Sequence, residues 1–383
     1  MEDQYYKIGH NIFGPFLKAY THWLLTEIKK LAPRKVFFLS RDGYLMLEAV
    51  RLVENNQPPY EYVHFSRRSI RNCLLWTRRN LNDMVSLLAW KRYVSVAEVL
   101  SFLSQGDEKL MKAANAISES NRFIKFEDIA NNEQIKDFVS SNYRNIYDAS
   151  ASNFDLIIKY LRQIDFSGNV AIVDIGWHGT MQAQLEELLK VSNINAKITG
   201  LYVGINTSHD ISTDSYKGFL FSNDNPRKKN RVLCSLGLIE KLFQKEEGST
   251  IGYDIKNSKI EPVLDLFEYK SDPEISQHIN SLQNGALSFI KESDTREGIT
   301  ESETDRLIQF GMKPRLNSLN LFKNFYNIDN GEKIYFLPQK SIFHYSFGEL
   351  KKRLSDSPWK TGFLKELIKL PLPYYWLYSL IKK

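Results

Sequence analysis

Two short apolar runs, each followed by a polar loop and then by helical spacing, constrain the fold of this chain most. Residues 36–39 (Val-Phe-Phe-Leu) precede the turn at residues 40–43, and residues 170–173 (Val-Ala-Ile-Val) precede the loop at residues 174–180. Apolar runs bounded by turns are typical of buried strands, and the residues after each loop return to the spacing of an amphipathic helix. Two such strand–loop–helix units predict an α/β fold around a parallel sheet.

The rest of the chain extends this sheet and surrounds it with helices. Residues 60–65 alternate as a strand and complete a β-α-β unit with the first strand, which predicts parallel pairing. Two further strands are predicted at residues 198–205 and 216–221. The predicted helices span residues 11–31, 44–53, 95–103, 109–118, 132–139, 152–164, 181–189, 275–291 and 301–324.

These elements divide the chain into three regions. Residues 1–69 and 161–255 form an α/β core built on a Rossmann-like parallel sheet. Residues 70–160 are mainly helical and polar, which predicts a helical insertion within that core. The alternation typical of strands then fades, so residues 256–383 are predicted to be a mainly helical C-terminal region.

Composition and charge exclude several classes of protein. Hydrophobic residues make up 43% of the chain, which is enough for a sizeable core, and the net charge of +6 fits an anionic substrate or an anionic membrane face. No continuous basic stripe is interleaved with aromatic residues, so nucleic acid is not predicted as a partner. Cys73 and Cys234 lie in no metal-ligand pattern, which favours reduced thiols in the cytoplasm. Residues 1–10 are polar, which predicts no signal peptide, and no apolar run reaches the ~18 residues of a membrane span.

The first loop combines groups that suit an anionic ligand. Arg41 can bind a diphosphate in two-pronged fashion, and Gly43 permits a tight turn with close approach of the backbone to a ligand. Ser40 and Tyr44 flank these residues, and the N–H groups that begin the following helix favour an anion. Asp42 either holds a metal ion through water or caps the helix. The alternative to a binding loop is an ordinary strand–helix turn.

The second loop has a stronger functional pattern. Asp174 directly follows a strand, so its carboxylate projects into the crevice at the end of the sheet, where it can accept hydrogen bonds from sugar hydroxyls. Gly176 and Gly179 bracket a segment whose N–H groups can surround a phosphate, and Thr180 adds a hydroxyl at the helix start. The simpler interpretation, a tight turn, does not account for two large side chains at its tip.

Those two side chains are Trp177 and His178. His178 can act as an acid or base, since an unperturbed imidazole titrates near pH ~6.5, or as a neutral donor to phosphate, or it can simply pack in the loop. Met181 and Gln182 continue the element into the first turn of the helix. They are therefore also candidate ligand-binding residues.

Three motifs together resemble a known family. They are FFLSRDGYL at residues 37–45, YVHFSRR at residues 62–68 and VDIGWHGTMQ at residues 173–182. They resemble the glycan phosphoribosyltransferases of bacterial surface-polysaccharide assembly, which belong to the type I phosphoribosyltransferase superfamily. Related regions are often labelled as haloacid-dehalogenase-like hydrolases. The resemblance covers residues 10–255 and is specific at the three motifs.

The resemblance implies a type I phosphoribosyltransferase fold and transfer of 5-phosphoribose from 5-phosphoribosyl 1-pyrophosphate to a sugar hydroxyl, with Mg²⁺ as cofactor. It assigns residues 40–44 to the pyrophosphate and residues 174–182 to the 5-phosphate and ribose. The metal ligands would be Asp42, through water, and Asp174. A lipid-linked glycan acceptor, as in capsule or O-antigen assembly, and a separate phosphatase that removes the 5-phosphate are the expected partners.

Further candidates follow from this mechanism. Positive charge develops at C1 of the ribose, so a nearby carboxylate is needed, and Asp42 and Asp174 are the candidates. Arg67 and Arg68, after the second strand, add anion contacts or form a solvated basic turn. For the base that accepts the proton of the acceptor hydroxyl, Glu240 is ranked first. The competing candidates are Glu247, His64 and His178.

The chain departs from the family pattern in three places. The usual signature has two adjacent acids, whereas Asp174 is followed by Ile175, so ribose recognition must differ. Trp177 and His178 replace small or hydroxyl residues. The insertion at residues 70–160 either shapes a site for a bulky glycan or buttresses the sheet.

Two other functions stay open at this point. Phosphatases of the haloacid dehalogenase type need a strand that ends in Asp-x-Asp, whereas each loop here has a single aspartate, so transfer is favoured over hydrolysis. A non-catalytic glycan- or membrane-binding scaffold is the other alternative. Residues 363–383 combine aromatic residues with two terminal lysines, which suits a helix on the inner face of the cell membrane. Pro371 and Pro373 interrupt any single helix there, and packing onto the core is the alternative.

Overall fold

The computed structural model describes residues 3–54, 58–88, 90–117, 122–209, 211–226, 228–293, 300–329 and 332–381. The strands are β1 Lys35–Leu39, β2 Tyr60–Val63, β3 Tyr93–Ser95, β4 Phe123–Lys125, β5 Gly168–Trp177, β6 Ala196–Ile205, β7 Tyr216–Gly218, β8 Thr250–Lys256, β9 Lys259–Leu264, β10 Tyr326–Asp329 and β11 Glu332–Tyr335. Five of them form a central, all-parallel sheet in the order β2-β1-β5-β6-β7.

The helices lie before, between and after these strands. They are α1 Gln4–Ile8, α2 Gly14–Leu31, α3 Gly43–Val53, α4 Arg67–Asn72, α5 Leu81–Val85, α6 Val96–Ser104, α7 Glu108–Asn115, α8 Glu133–Gln163, α9 Thr180–Ser192, α10 Lys229–Leu233, α11 Leu236–Phe243, α12 Pro273–Glu292, α13 Glu301–Met312, α14 Leu316–Leu321, α15 Phe347–Asp356, α16 Lys360–Ile368 and α17 Tyr374–Ile381. A π-helical turn, Gly9–Phe13, joins α1 to α2.

The inner strands are apolar on both sides because helices cover both faces of the sheet. In β1, Val36 and Phe38 pack into a core that contains α2 and α3. Phe37 and Leu39 point to the opposite face and pack into a second core with α4, α6, α8 and α9. The predicted buried strand and the parallel β-α-β unit formed by β1, α3 and β2 are confirmed.

The chain reverses its direction of progress across the sheet between β1 and β5. From β1 it adds β2 on one side, whereas from β5 it adds β6 and then β7 on the other side. The two strands are direct parallel neighbours, with Phe38 opposite Val173. The loops after two such strands diverge and leave a crevice, which is where open parallel sheets bind ligands. Both predicted loops start at this crevice.

The predicted α/β fold class is confirmed, and several boundaries are corrected. The third predicted strand continues to Trp177 as β5, because Gly176 and Trp177 still pair with β6. The predicted loop at residues 174–180 is therefore in large part strand, and only two residues separate β5 from α9. The two helices predicted within residues 132–164 are one helix, α8, since no glycine or proline interrupts it.

Two antiparallel hairpins, β8–β9 and β10–β11, lie outside the predicted pattern. The turn between β8 and β9 has positive φ at both Asn257 and Ser258, which is the geometry of a type I′ hairpin turn. A further short antiparallel pair, β3 with β4, lies among the helices of residues 70–160. The region beyond residue 255 therefore contains strands as well as helices. The strands are β9, which pairs with β8, and the β10–β11 hairpin.

The C-terminal helices pack onto the same core as α2 and α3. Trp359 is fully buried and donates an Nε1 hydrogen bond of 2.8 Å to a backbone carbonyl of α13. The helix is interrupted between α16 and α17, at the position that Pro371 and Pro373 predict. Tyr374 and Tyr378 of α17 are buried, whereas Trp376 is exposed, and residues 382–383 lie outside the described residues. Among the described residues, every helix is too short or too polar to cross a lipid bilayer.

Candidate functional site

A cleft of about 340 Å³, called the main cleft here, opens at the crevice between β1 and β5. Its walls come from the turn after β1, from the end of β5 with the first turn of α9, and from α11, with β8 and β10 on the remaining side. Its volume falls within the range of about 300–1,000 Å³ that is usual for small-molecule sites. The predicted residues in its lining are Ser40, Arg41, Asp42, Arg67, Asp174, Gly176, Trp177, His178, Gly179, Thr180, Met181, Gln182 and Glu240.

Three of the predicted donor-binding residues lie outside this lining. A Cβ on Gly43 would come within 2.8 Å of the Phe38 carbonyl carbon, so glycine lets α3 pack closely on β1. The ring of Tyr44 packs edge-on against another tyrosine, on β2, with their centroids 5.7 Å apart. Arg68 directs Nη1 to the Asp265 carboxylate at 3.5 Å on the surface. These residues shape the surroundings of the main cleft and do not line it.

The turn after β1 holds Asp42 with its carboxyl free of the helix. Ser40 anchors the turn through an Oγ hydrogen bond of 3.0 Å to the Phe65 carbonyl, and the peptide between Ser40 and Arg41 is cis. Asp42 occupies the position before α3, but its side chain makes no capping hydrogen bond. The alternative in which this aspartate caps the helix is therefore wrong, and the carboxyl faces the main cleft instead.

Two glycines give the end of β5 its shape. Gly176 has φ +94° and Gly179 has φ +69°, a region that side chains rarely adopt. A Cβ on Gly176 would also lie 2.7 Å from the carbonyl oxygen of Gly204 on β6. This path delivers the chain into α9 with no side-chain cap on its first turn. The N–H groups of that turn therefore open toward the main cleft, where they favour an anion.

Trp177 orients the carboxylate of Glu240. The sequence alone gives no reason for a tryptophan at this position. Its indole is buried and stacks on Phe221, with ring centroids 5.9 Å apart and an angle of 14° between the planes. Its Nε1 donates a hydrogen bond of 3.1 Å to Glu240 Oε1. Glu240 therefore sits in the main cleft in a defined orientation, next to the end of β5.

The carboxyl groups of Asp42 and Asp174 share one low-dielectric space. Burial raises the pKa of Asp42, the charge of Asp174 raises it further, and Arg41 opposes both effects. Burial also raises the pKa of Asp174, while the N–H groups of the next two residues and Arg67 lower it and Glu240 raises it. Buried carboxyls that interact in this way are suited to sharing a cation or a proton.

Basic side chains surround these acids. Lys241 is buried and contacts both Glu268 and the Gln244 amide oxygen, the latter at 2.7 Å. Arg41 Nη1 lies 3.7 Å from the other oxygen of Glu268, so one carboxylate orients two cations. Among the described residues no carboxylate forms an ion pair with Arg67. Three basic and four acidic side chains line the main cleft, so an anionic ligand gains from a divalent cation that accompanies it.

A metal site made by the protein alone is absent from the described residues, which contain no group of three or more Asp, Glu, His or Cys side chains arranged around a common point. Mg²⁺ is usually held by one or two carboxylates together with substrate phosphates and waters. Asp42 and Asp174 supply two carboxylates in the main cleft. They fit a Mg²⁺ ion that arrives with a diphosphate, and they do not fit a resident structural ion.

The other three candidate bases, Glu247, His64 and His178, lie in environments that differ from that of Glu240. Glu247 lies outside the main cleft and accepts hydrogen bonds from Tyr62 and Lys245, with His64 Nε2 at 3.5 Å. These contacts occupy both Glu247 and His64. His178 is exposed at the tip of the β5–α9 connection, where partial burial lowers its pKa and Arg67 lowers it further.

Sequence reasoning misses several residues of the main cleft. Gln244 Nε2, Thr250 Oγ1 and Asn327 Oδ1 are buried and have no hydrogen-bond partner among the described residues, and all three residues line the cleft. Glu268 is also missed. The sequence contains a signal for Lys241, since Glu240 and Lys241 are adjacent charges within an otherwise apolar helix turn. No local pattern marks Asn327 or Glu268, which come from segments distant in the chain. Buried polar atoms without a partner are suited to hydrogen bonds with a polar ligand.

Comparison with known proteins assigns no family to this arrangement: no protein-family model and no curated protein matches the chain. The geometry itself therefore carries the functional conclusion. It combines two aspartates, a carboxylate held by an indole, basic side chains and an open helix N-terminus in one cleft.

Proposed function

We propose that this protein is a glycan phosphoribosyltransferase that moves 5-phosphoribose from 5-phosphoribosyl 1-pyrophosphate to a sugar hydroxyl. The observation that carries the proposal is the meeting of both motif-bearing loops in one cleft at the point where the strand order reverses. A donor with phosphate groups at both ends of a ribose needs two anion sites on either side of a carboxylate. The turn at residues 40–42 and the start of α9 are the candidates for these two sites, because both line the cleft together with Asp174.

In the proposed binding mode the two anion sites have separate tasks. Arg41, oriented by Glu268, binds the diphosphate. The open N–H groups of α9 and the hydroxyl of Thr180 bind the 5-phosphate. Asp174 lies between them and accepts hydrogen bonds from the ribose hydroxyls. Arg67 adds charge where the phosphates enter.

The reaction exchanges one bond at C1 of the ribose. The bond from C1 to the pyrophosphate oxygen breaks, the bond from C1 to the acceptor oxygen forms, and the acceptor hydroxyl proton passes to Glu240, which the Trp177 indole holds in place. Asp174 stabilises the positive charge that develops at C1. Asp42 and Asp174 would hold a Mg²⁺ ion, which would neutralise charge on the pyrophosphate when bound.

A transfer assay tests this proposal directly. The protein is incubated with the donor, Mg²⁺ and a panel of glycan acceptors, and mass spectrometry detects an acceptor that has gained phosphoribose. Asp174→Asn and Arg41→Ala abolish transfer, whereas the matched control Arg51→Ala, which removes only a surface ion pair on α3, does not. Full transfer by either cleft variant would show that the site is wrong.

Two results would redirect the assignment. Release of phosphate from a simple sugar phosphate, without the diphosphate donor, would favour a phosphatase of the haloacid dehalogenase type. Absence of any donor binding in calorimetry would favour a non-catalytic scaffold. The isolated aspartates in the two loops favour transfer over hydrolysis, because neither loop provides the Asp-x-Asp pair that the phosphatase reaction needs.

The proposed setting is the cytoplasmic face of the cell membrane, where a lipid-linked acceptor would be presented and a separate phosphatase would remove the 5-phosphate. Large apolar side chains are exposed near the C-terminus, among them Phe343 (92% exposed), Phe347 (86%) and Trp376 (56%). Such side chains beside lysines suit a surface contact with lipid. Flotation with anionic liposomes tests this contact. Equal flotation of wild type and a Phe343→Ser/Phe347→Ser/Trp376→Ser variant would remove it.

A further inference from the structure

A second cavity, of about 310 Å³ and called the side cavity here, adjoins the main cleft. Glu240 and Asn327 line both spaces, so the two spaces meet at these residues. The remaining walls come from α10 and α11, from the segment between α15 and α16, and from α17. The side cavity therefore lies between the proposed base and the C-terminal helices.

The lining of the side cavity combines apolar side chains with neutral polar groups, and Glu240, Asp356 and Lys360 add charged groups at its walls. Leu233 and Leu236 are half-buried and face it, and the ring of Tyr378 forms the opposite wall. Asn327 Oδ1 is buried and has no hydrogen-bond partner in the described part of the chain. Within the described residues, no hydrogen bond holds the buried Tyr378 hydroxyl. A ligand that fits this lining has an apolar face for the leucines and neutral hydroxyls for the two polar groups.

We propose that the side cavity is the acceptor subsite and takes the sugar ring of a glycoside whose aglycone is a lipid. The proposal rests on the proposed transferase function and names the second substrate of the same site. A hydroxyl of that ring reaches Glu240, because Glu240 is the carboxylate that faces both the side cavity and the main cleft. Another hydroxyl donates to Asn327 Oδ1, and Tyr378 contacts the ring.

The position of α17 explains how a lipid aglycone is accommodated. Tyr378 is buried and lines the side cavity, while Trp376 and Leu380 of the same helix are exposed, at 56% and 48%. One short helix therefore connects the sugar-binding wall with the apolar surface of the C-terminus. An acceptor bound in the side cavity can leave its alkyl chain along that surface.

Binding of octyl glycosides in the absence of the donor tests the subsite. The probes are the octyl β-glycosides of glucose, galactose and N-acetylglucosamine below their micelle concentrations, measured by saturation-transfer difference NMR on the sugar ring protons. Tyr378→Phe removes only the hydroxyl and weakens binding about fivefold, the usual effect of one lost hydrogen bond. Leu236→Trp fills the side cavity and abolishes it. The matched control Tyr375→Phe, on the same helix but outside both cavities, binds as wild type does.

The outcomes separate this inference from the proposed function. Donor binding to the wild type is measured in parallel by calorimetry. If the donor binds but no octyl glycoside binds, or if Tyr378→Phe and Leu236→Trp both bind as wild type does, the acceptor subsite is overturned and the transferase proposal stands. If the glycosides bind as expected but the donor does not, the sugar subsite stands and the transferase proposal fails.

Discussion

The carboxylate of Glu247 holds in place, through polar contacts, the segment at residues 247–250 that contributes to one wall of the main cleft. It accepts hydrogen bonds from Tyr62 on β2 and from Lys245 Nζ at 2.8 Å, and His64 Nε2 lies 3.5 Å away. Its side chain is only 11% exposed. Ser249 and Thr250, which follow Glu247 closely in the chain, line the cleft. Substitution of Glu247 by glutamine is therefore expected to reduce stability and to loosen this wall.

The size of the effect follows from the pKa of Glu247. Burial alone would raise this pKa, but the contacts from His64, Lys245 and Tyr62 outweigh burial and lower it from the usual 4.5 to about 2. Since each pH unit corresponds to about 1.4 kcal/mol, the charged form contributes about 3 kcal/mol to the free energy of unfolding. Glutamine keeps one neutral acceptor, which is worth about 1 kcal/mol. The expected net loss at pH 7 is therefore about 2 kcal/mol.

The lowered pKa of Glu247 also determines the direction in which its contribution to stability changes with pH. A carboxyl with a lowered pKa in the folded state stabilises the protein fully above its unfolded pKa, and this stabilisation is lost as pH falls toward the folded pKa. The difference between wild type and Glu247→Gln is therefore expected to shrink below about 1 kcal/mol at pH 3. Urea unfolding, followed by tryptophan fluorescence at pH 7, 5 and 3, measures it.

A neighbouring variant controls for charge removal alone. Glu246 is exposed and accepts one hydrogen bond of 3.1 Å, from Asn280. Glu246→Gln is expected to change the free energy of unfolding by less than about 0.5 kcal/mol. If Glu247→Gln behaves like this control, or if its deficit stays constant from pH 7 to pH 3, the reasoning from the buried cluster is refuted.

Three further predictions concern the main cleft. Trp177→Phe keeps the ring stack but removes the hydrogen bond to Glu240, so kcat for transfer is expected to fall about tenfold with little change in the donor KM; an unchanged kcat would contradict Glu240 as the positioned base. Gly176→Ala places a Cβ 2.7 Å from a backbone oxygen at φ +94° and is expected to cost about 2 kcal/mol in urea unfolding, whereas Gly252→Ala, with open space around its Cβ, costs less than about 1 kcal/mol. Chelation of divalent cations is expected to weaken donor binding in calorimetry by about tenfold or more, because acidic side chains outnumber basic ones in the cleft; equal affinity with EDTA and with Mg²⁺ would remove the metal from the proposal.

Local signals account for the part of the fold that the sequence predicts. The strand at Lys35–Leu39 and the helix after it are visible because an apolar run, a polar turn and helical spacing follow one another within twenty residues. The parallel pairing of β1 and β2 follows from that same unit. The meeting of both loops at one crevice follows from the rule for open parallel sheets, once the strands themselves are identified.

Non-local contacts account for the part that the sequence does not reveal. β5 runs to Trp177 because β6 continues beside it, and no feature of residues 174–177 alone requires this. Glu268 and Asn327 enter the main cleft from segments that follow the predicted core, so their positions depend on how the C-terminal region folds back. The side cavity depends on the same contact, since α17 forms one of its walls.

In the proposed phosphoribosyltransferase, Ile175 stands where a second acid is expected, and the position of this residue in the fold bears on that difference. Asp174 lines the main cleft, whereas Ile175 borders the cleft and is also buried in the core that contains α2 and α3, so an acid at position 175 would place a carboxylate among apolar side chains. The carboxyl groups that interact with the charge of Asp174 belong to other elements: they are those of Asp42 and Glu240. In the proposed mechanism, the acids that one loop supplies in the family are therefore distributed over three elements: β5, the turn after β1, and α11. This distribution predicts that Ile175→Asp does not improve transfer but destabilises the fold, and that Asp42→Asn weakens Mg²⁺-dependent donor binding as strongly as Asp174→Asn does. A stable and more active Ile175→Asp variant would refute it.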